Sequence, residues 1–562
     1  MVGGLHVRRA PWHRPTPRWA LAGVLAVQAA ASLRLVWSNT AFTDEALYLW
    51  AGRLEWAHWL HGAPVPAFAS YFSGAPVLYP PLGALADGLG GLAAARLLSL
   101  CFMLGATGLL WATTSRLIGQ RAAFFAAASW VALGPTQFLG AFATYDAMAL
   151  LLMALAAWGI TRAALSEDHA GWLLAGIAAL VLANLTKYAS ALFDPVVVGM
   201  ALSAEWTRLG AKRSLAQAGV LAAYVAGGLT VALLLGGPDY GRGMVQTTLA
   251  RATGYASAST VLATSWGWIK TVVVIAAFGA TLAWLTERGR AKPVLLTILA
   301  CAALLAPLQE ARIHTTVSLQ KHVDFGAWFA AVAAGYALDR LISWAGGRAV
   351  QAGAAAACAA ALIVPAGVGA AQAKSLYADW PNAARFADVL GRFTAGGDGP
   401  ILMDDPSIGE YYTPAGAQWW RWSSTGSVRY ALHVVTAARV GSVLPAVTFQ
   451  PLIARGYFTI AALTPSDRSG LNTEITADLR RNHSYHLAAQ VPYGRSEYDI
   501  WVYADDVAEH SYGASAARAP GPQILSMLSL EERIVAACTA MVVSFCGLVR
   551  MTWRRRKRLQ EL

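Results

Sequence analysis

Two adjacent carboxylates, Asp44 and Glu45, stand a few residues past the first apolar run of the chain. Tyr48 follows one helical turn after Asp44, where it shares a helix face with it. A carboxylate in this position can take a proton from a hydroxyl. The competing use is structural: Thr43 or Asp44 as a helix N-cap, with acid favoured in the first turn by the helix dipole. A second acid, Asp146, comes with Tyr145 after the turn at Gly134-Pro135. The candidate cations, residue types that can stabilise developing negative charge, are Arg96, Lys187 beside Tyr188, Arg251, and the stretch holding His314, Lys321 and His322. Each has an ordinary alternative. Lys187 can snorkel from a helix end, Arg96 can touch a lipid headgroup, and the two histidines can belong to a polar loop. His58 and His61 share a helix face, but no His-Glu-x-x-His or Cys-x-x-Cys spacing occurs, so metal ligation stays unknown.

The elements that must position these residues are membrane helices. The chain has 562 residues, 56% hydrophobic and 13% charged, with mean hydropathy +0.45. A soluble domain carries about 25% charged residues, whereas a span needs ~20 apolar residues to cross ~30 Å of hydrocarbon. The 22 Trp and 19 Tyr suit interfacial belts. The net charge of +12 does not indicate nucleic acid, because the basic residues sit in short loops and tails rather than in a patch with interleaved aromatics. All five cysteines lie in apolar runs, which predicts no disulfide framework.

In order, the basic residues Arg8, Arg9, Arg14 and Arg18 precede a first span at 19–37, read as uncleaved. A long first loop, 38–93, holds Asp44 and Glu45 on the external side. From Pro81 to Ser115 the chain stays apolar for about 35 residues, or ~50 Å of helix, too long for one span. Counting back from Arg116 starts span two near Ala94, and residues 82–91, broken by Gly88, Gly90 and Gly91, become an interfacial helix. Further spans are expected at 122–134, 144–162, 170–186, 189–206, 215–236, 262–285, 293–307, 325–343 and 349–370, with an external loop at 238–260. Residues 374–525 read as soluble α/β structure, with strands at 401–403, 457–463, 485–491 and 498–503 and helices at 382–394 and 471–481. A last span at 531–551 ends in a basic tail.

The Asp-Glu pair with a following Tyr, the Tyr79-Pro80-Pro81-Leu82 turn, Ala95-Arg96-Leu97 and Tyr145-Asp146 together resemble the GT-C glycosyltransferases. The branch they are most similar to is that of protein O-mannosyltransferases and lipid A aminoarabinose transferases. The resemblance covers residues 19–200 best. It implies a sugar donor carried on a polyprenyl phosphate, inverting attack by an acceptor hydroxyl, Asp44 as general base, Glu45 orienting acceptor or base, and Asp146 near the sugar or a metal. It leaves a divalent metal ion open, since some members use one and others do not.

The resulting expectation is a polytopic α-helical membrane protein of about twelve spans of the GT-C type. Residues 1–373 form the transmembrane catalytic domain, 374–525 an extracytoplasmic α/β domain, and 526–562 a final span and cytoplasmic tail. Both termini are expected to be cytoplasmic, in a bacterial inner membrane. The expected catalytic set is Asp44, Glu45 and Asp146. The donor-binding set is Tyr48, Arg96, Lys187, Tyr188, Arg251, His314, Lys321 and His322. The partners are a polyprenyl-phosphate-linked sugar, an acceptor glycan, lipid or protein, and membrane lipids. Two competing classes remain, a transporter or flippase and an assembly scaffold. A transporter concentrates ionisable residues near the midplane, whereas these candidates fall at the outer edge.

Overall fold

The structure, a computed structural model, describes residues 18–165, 169–251, 253–395, 397–430, 433–436, 446–465 and 470–504. The expectations for the first arginines, the span at 531–551 and the basic tail lie outside the described residues. The first part of the chain forms α1 (Arg18–Val36), α2 (Thr43–His61), α3 (Tyr79–Leu117), α4 (Gln120–Val131), α5 (Gly134–Leu139), α6 (Tyr145–Leu165), α7 (His169–Thr186), α8 (Asp194–Leu209), α9 (Ala211–Thr247), α10 (Ala258–Thr286), α11 (Ala291–Arg312), α12 (Leu319–Trp344), α13 (Arg348–Ala361) and α14 (Ile363–Ala378).

Among the described residues, nine helical stretches are long and apolar enough to cross a membrane: α1, α3, α6, α7, α9, α10, α11, α12 and α13–α14 together. Eleven of the about twelve expected spans fall within the described residues, and nine are found there. Helices α4 and α8 have only 12 and 16 residues, short of the ~20 that a span requires. The length argument at Pro81–Ser115 is reflected in the backbone. Helix α3 leaves helical geometry at Gly90 and Gly91, where Gly91 takes φ +66°. The expected loop at 238–260 is partly helix. Helix α9 turns a corner at Gly237 (φ +73°) and resumes through Pro238 to Thr247, a left-handed glycine followed by a proline where the new segment starts.

Helix α12 is the centre of the bundle, and its middle is almost wholly buried. Small residues let neighbouring backbones approach it closely. A Cβ on Gly335 would lie 2.3 Å from the Ala122 carbonyl oxygen of α4, and one on Gly326 would lie 2.4 Å from that of Ala302 in α11.

After α14, which runs past the expected boundary at 373, the chain forms α15 (Ala384–Thr394), β1 (Ile401–Met403), α16 (Ser407–Tyr412), β2 (Trp422–Ser424), β3 (Ser427–Tyr430), β4 (His433–Thr436), α17 (Gln450–Ala454), β5 (Ile460–Leu463), α18 (Leu471–Arg481), β6 (Tyr485–Tyr493) and β7 (Ser496–Tyr503). The strands make one seven-stranded mixed sheet in the order β4-β3-β2-β1-β5-β7-β6. Strand β1 pairs parallel with β2 and β5, and the other pairs are antiparallel. The apolar runs at 401–403 and 460–463 are buried throughout, as central parallel strands are. Strands β2 to β4 were not expected from the sequence.

This domain sits on α2 and the start of α3. Trp50 Nε1 donates to the Gly416 carbonyl at 2.7 Å. Arg53 pairs with Asp87 at 2.6 Å, and the Tyr411 hydroxyl donates to the same carboxylate at 2.7 Å. Trp419 donates to the Pro64 carbonyl, while Trp422 lies in the core of the domain itself. Trp419 thus helps dock the domain onto the first loop. Cys101, Cys301 and Cys358 are free thiols.

Candidate active site

Helix α2 begins after Phe42, whose extended backbone makes it the N-cap. Neither Thr43 nor Asp44 caps the helix. Glu45, at the third helical position, accepts the Phe42 N–H at 3.0 Å, the glutamate half of a capping box. Its other oxygen accepts the Ala143 N–H at 2.8 Å. Arg96 of α3 closes the arrangement with a bidentate pair to Glu45 at 2.7 and 2.8 Å, and both side chains are fully buried. The remaining Arg96 N–H groups donate to the carbonyls of Val36, Asn39 and Thr40. A guanidinium has five N–H donors, and all five are used. Arg96 therefore has no donor left for a phosphate, and Glu45 has no open face for an acceptor. This pair instead ties α1, α2, α3 and the turn before α6 into one frame around Asp44.

Four chain segments meet inside that frame. Asp44 lies in the first turn of α2, Asp146 in the first turn of α6, Lys187 just past α7 and Lys321 in the first turn of α12. Lys321 Nζ is 2.6 Å from Asp44 Oδ2 and 3.7 Å from Asp146 Oδ2. Lys187 Nζ is 2.9 Å from Asp146 Oδ1 and lies over the Tyr145 ring, 4.7 Å from its centroid. Thr144 donates to Asp146 Oδ2 at 2.9 Å. Lys187, Lys321 and Asp146 are at most 2% exposed, whereas the Asp44 side chain is 29% exposed. Lys187 does not snorkel.

Tyr48 stacks on Tyr145 with centroids 4.5 Å apart. Burial, reinforced by the Asp44 carboxylate, pushes the Tyr48 phenol well above its ordinary pKa, so it stays neutral. The Tyr145 hydroxyl bonds Ser73 at 2.8 Å.

A cavity of about 440 Å³ adjoins the cluster. Ser73, Tyr188, Arg251, Glu310 and His322 line it together with the apolar Leu192, Phe193, Leu249 and Phe325. Tyr188 and His322 are chain neighbours of Lys187 and Lys321, so cavity and cluster share their supports. His314 is exposed, bonds the Ala256 carbonyl and does not line the cavity. Ser73 and Glu310 were missed as site residues. Glu310 lies in the last turn of α11, past the expected span at 293–307, but nothing local distinguishes it from its neighbours.

Among the described residues no group of three or more His, Cys, Asp or Glu could hold a metal ion. Asp44 and Asp146 already share the Lys321 ammonium, and Asp146 also pairs with Lys187, so this carboxylate set does not fit a divalent cation. His58 Nδ1 donates to the Ala63 carbonyl at 2.8 Å, just past the end of α2.

Residues 88–227 match the family model for dolichyl-phosphate-mannose-protein mannosyltransferases. The chain is a GT-C-type membrane glycosyltransferase. The fold likeness extends well past the matched stretch. The crystal structure of ArnT from Cupriavidus metallidurans bound to undecaprenyl phosphate superposes at TM-score 0.53 and 16% identity, covering 86% of this chain and 97% of that one. The archaeal oligosaccharyltransferase AglB from Archaeoglobus fulgidus, in complex with an inhibitory peptide and a dolichol-phosphate, gives 0.53 and 13%, covering 88% and 75%. No curated protein sequence matches the chain. The glycosyltransferase carries its charged cluster where the ends of α2, α6, α7 and α12 converge.

Proposed function

We propose that the enzyme moves a sugar from a polyprenyl-phosphate donor to an acceptor hydroxyl at the outer face of the cytoplasmic membrane, with inversion. The acceptor oxygen attacks the anomeric carbon, and the bond from that carbon to the phosphate oxygen breaks. The bonding pair leaves with the polyprenyl phosphate, and the acceptor proton passes to Asp44. Arg251 meets the charge that develops on the phosphate, and the sealed Lys187 and Lys321 stabilise it through their field. Tyr48 and Tyr145 stack beside them, and Asp146 fixes both lysines. Glu45 and Arg96 act as positioning residues. The α/β domain closes the site from above, and both chain termini lie on the cytoplasmic side.

The observation that carries this reading is the burial pattern of the cluster. Asp44 alone of its four members is substantially open, while Asp146 and both lysines are sealed. An approaching hydroxyl therefore meets the Asp44 carboxylate first. The adjoining cavity, with Arg251 and Tyr188 among its polar residues and Leu192, Phe193 and Phe325 among its apolar ones, suits a phosphate attached to an apolar chain. The undecaprenyl phosphate and dolichol-phosphate held by ArnT and AglB support the same donor class.

The test is transfer from radiolabelled polyprenyl-phosphate sugars by the wild type and by Asp44→Asn. Loss of a general base lowers the rate by about 10²- to 10⁴-fold, and that collapse is expected while expression and melting temperature hold. Transfer unaffected by the substitution would remove Asp44 as the base. Absence of transfer from every donor would favour a scaffold or transporter.

A further inference from the structure

Glu310, near the end of α11, and His322, in the first turn of α12, lie against each other with Oε1 and Nδ1 2.5 Å apart. Both side chains line the cavity, and the residues are 2% and 5% exposed. Each keeps one buried polar atom, Glu310 Oε2 and His322 Nε2, with no hydrogen-bond partner among the described residues. With the carboxylate ionised, Nδ1 carries the shared proton, and Nε2 of the neutral ring presents a lone pair. One wall of the cavity thus holds two acceptors and no donor to meet them. A buried polar atom left in that state is destabilising, and native structures seldom tolerate it without a reason.

Phosphate does not supply the missing partner. Its ionised oxygens are acceptors, and the Glu310 carboxylate repels them. Sugar hydroxyls are donors, are neutral, and arrive in adjacent pairs. We propose that Glu310 and His322 form the subsite for the donor sugar, with Glu310 Oε2 and His322 Nε2 accepting hydrogen bonds from two of its hydroxyls. This reverses the expectation that His322 binds the phosphate, which falls instead to Arg251 and the two lysines. It rests on the polyprenyl-phosphate reading above and narrows its substrate class. The sugar carries free hydroxyls on the face toward α11 and α12, and a uronic acid is rejected there by the Glu310 charge.

The experiment compares binding of bare undecaprenyl phosphate with binding of undecaprenyl-phosphate-linked mannose, glucose, arabinose and glucuronic acid, on the full-length protein in detergent. The expected result is tighter binding of at least one neutral glycosylated lipid than of the bare lipid, with the glucuronic acid form weakest. Glu310→Gln and His322→Gln are expected to weaken the preferred glycolipid by about 10- to 100-fold, as for hydrogen bonds to charged groups. They should leave bare undecaprenyl phosphate within about twofold. Equal weakening of both lipids would assign the pair to the phosphate and overturn the proposal. So would a wild type that binds no glycolipid more tightly than the bare lipid. Should the variants not fold, single-deoxy analogues of the preferred sugar test the wild type directly. At least one should bind about tenfold or more weakly, and unchanged binding of all of them would also overturn it. These readouts are equilibrium binding, so failure of Asp44→Asn to abolish transfer would remove the catalytic base without altering this test.

Discussion

Replacing Arg96 by Met separates a frame residue from a phosphate ligand. The wild-type guanidinium serves one carboxylate and three carbonyls, all within a fully buried side-chain pair. Removing one partner of a buried pair costs about 3–5 kcal/mol, because the other charge is left uncompensated. The three carbonyls add on the order of 1 kcal/mol each at most, less for the two that are partly reachable by water. Against a total stability of about 5–15 kcal/mol, this is about a fifth of the fold or more. Arg96→Met should therefore lower the unfolding midpoint in detergent, followed by tryptophan fluorescence, far more than Asp44→Asn does. Arg96→Lys should fall between, since an ammonium restores charge but not a five-donor fork. Adding Glu45→Gln to Arg96→Met should recover part of the loss, because the stranded carboxylate is then gone. An Arg96→Met protein that melts with the wild type, yet shows a raised KM for the lipid donor, would refute the reasoning and return Arg96 to the phosphate.

Gly52→Ala should destabilise the first loop. Its Cβ would lie 1.9 Å from the Pro80 carbonyl oxygen, so α2 and the start of α3 must separate, at about 1–3 kcal/mol for overpacking; an unchanged melting midpoint would contradict this contact. Asp87→Asn removes the charge that holds both Arg53 and the Tyr411 hydroxyl. The α/β domain should loosen, giving faster trypsin cleavage between residues 379 and 400, and a digestion time course identical to wild type would show that this anchor does not hold the domain.

The carboxylate pair shows how one motif can hold two unlike roles. Asp44 and Glu45 are adjacent and chemically alike, yet one is open and the other sealed against Arg96. A helix turn places consecutive side chains on different faces, so adjacency in sequence cannot say which of them meets the ligand. Arg96 was misread for the same reason. An arginine at the end of an apolar run looks like a headgroup or phosphate contact, and only the converging carbonyls of α1 and the following turn reveal that its donors are occupied.

What the sequence determined by itself is set by local rules. Apolar run length fixed most of the long helices, and the glycine break at 90–91 followed from a run too long for one span. The apolar strands at the centre of the α/β domain were legible because a strand buried on both faces is hydrophobic throughout. Strands β2 to β4 were not, because they are three or four residues of mixed polarity, held by pairing rather than by pattern. The tertiary structure alone decided that residues 44, 146, 187 and 321 share one ionic cluster. It also decided that Glu310 meets His322, and that His314 stands apart. Those contacts join helix ends from distant parts of the chain. Helix packing brings such ends together, and the periodicity of each helix carries no record of which ends will meet.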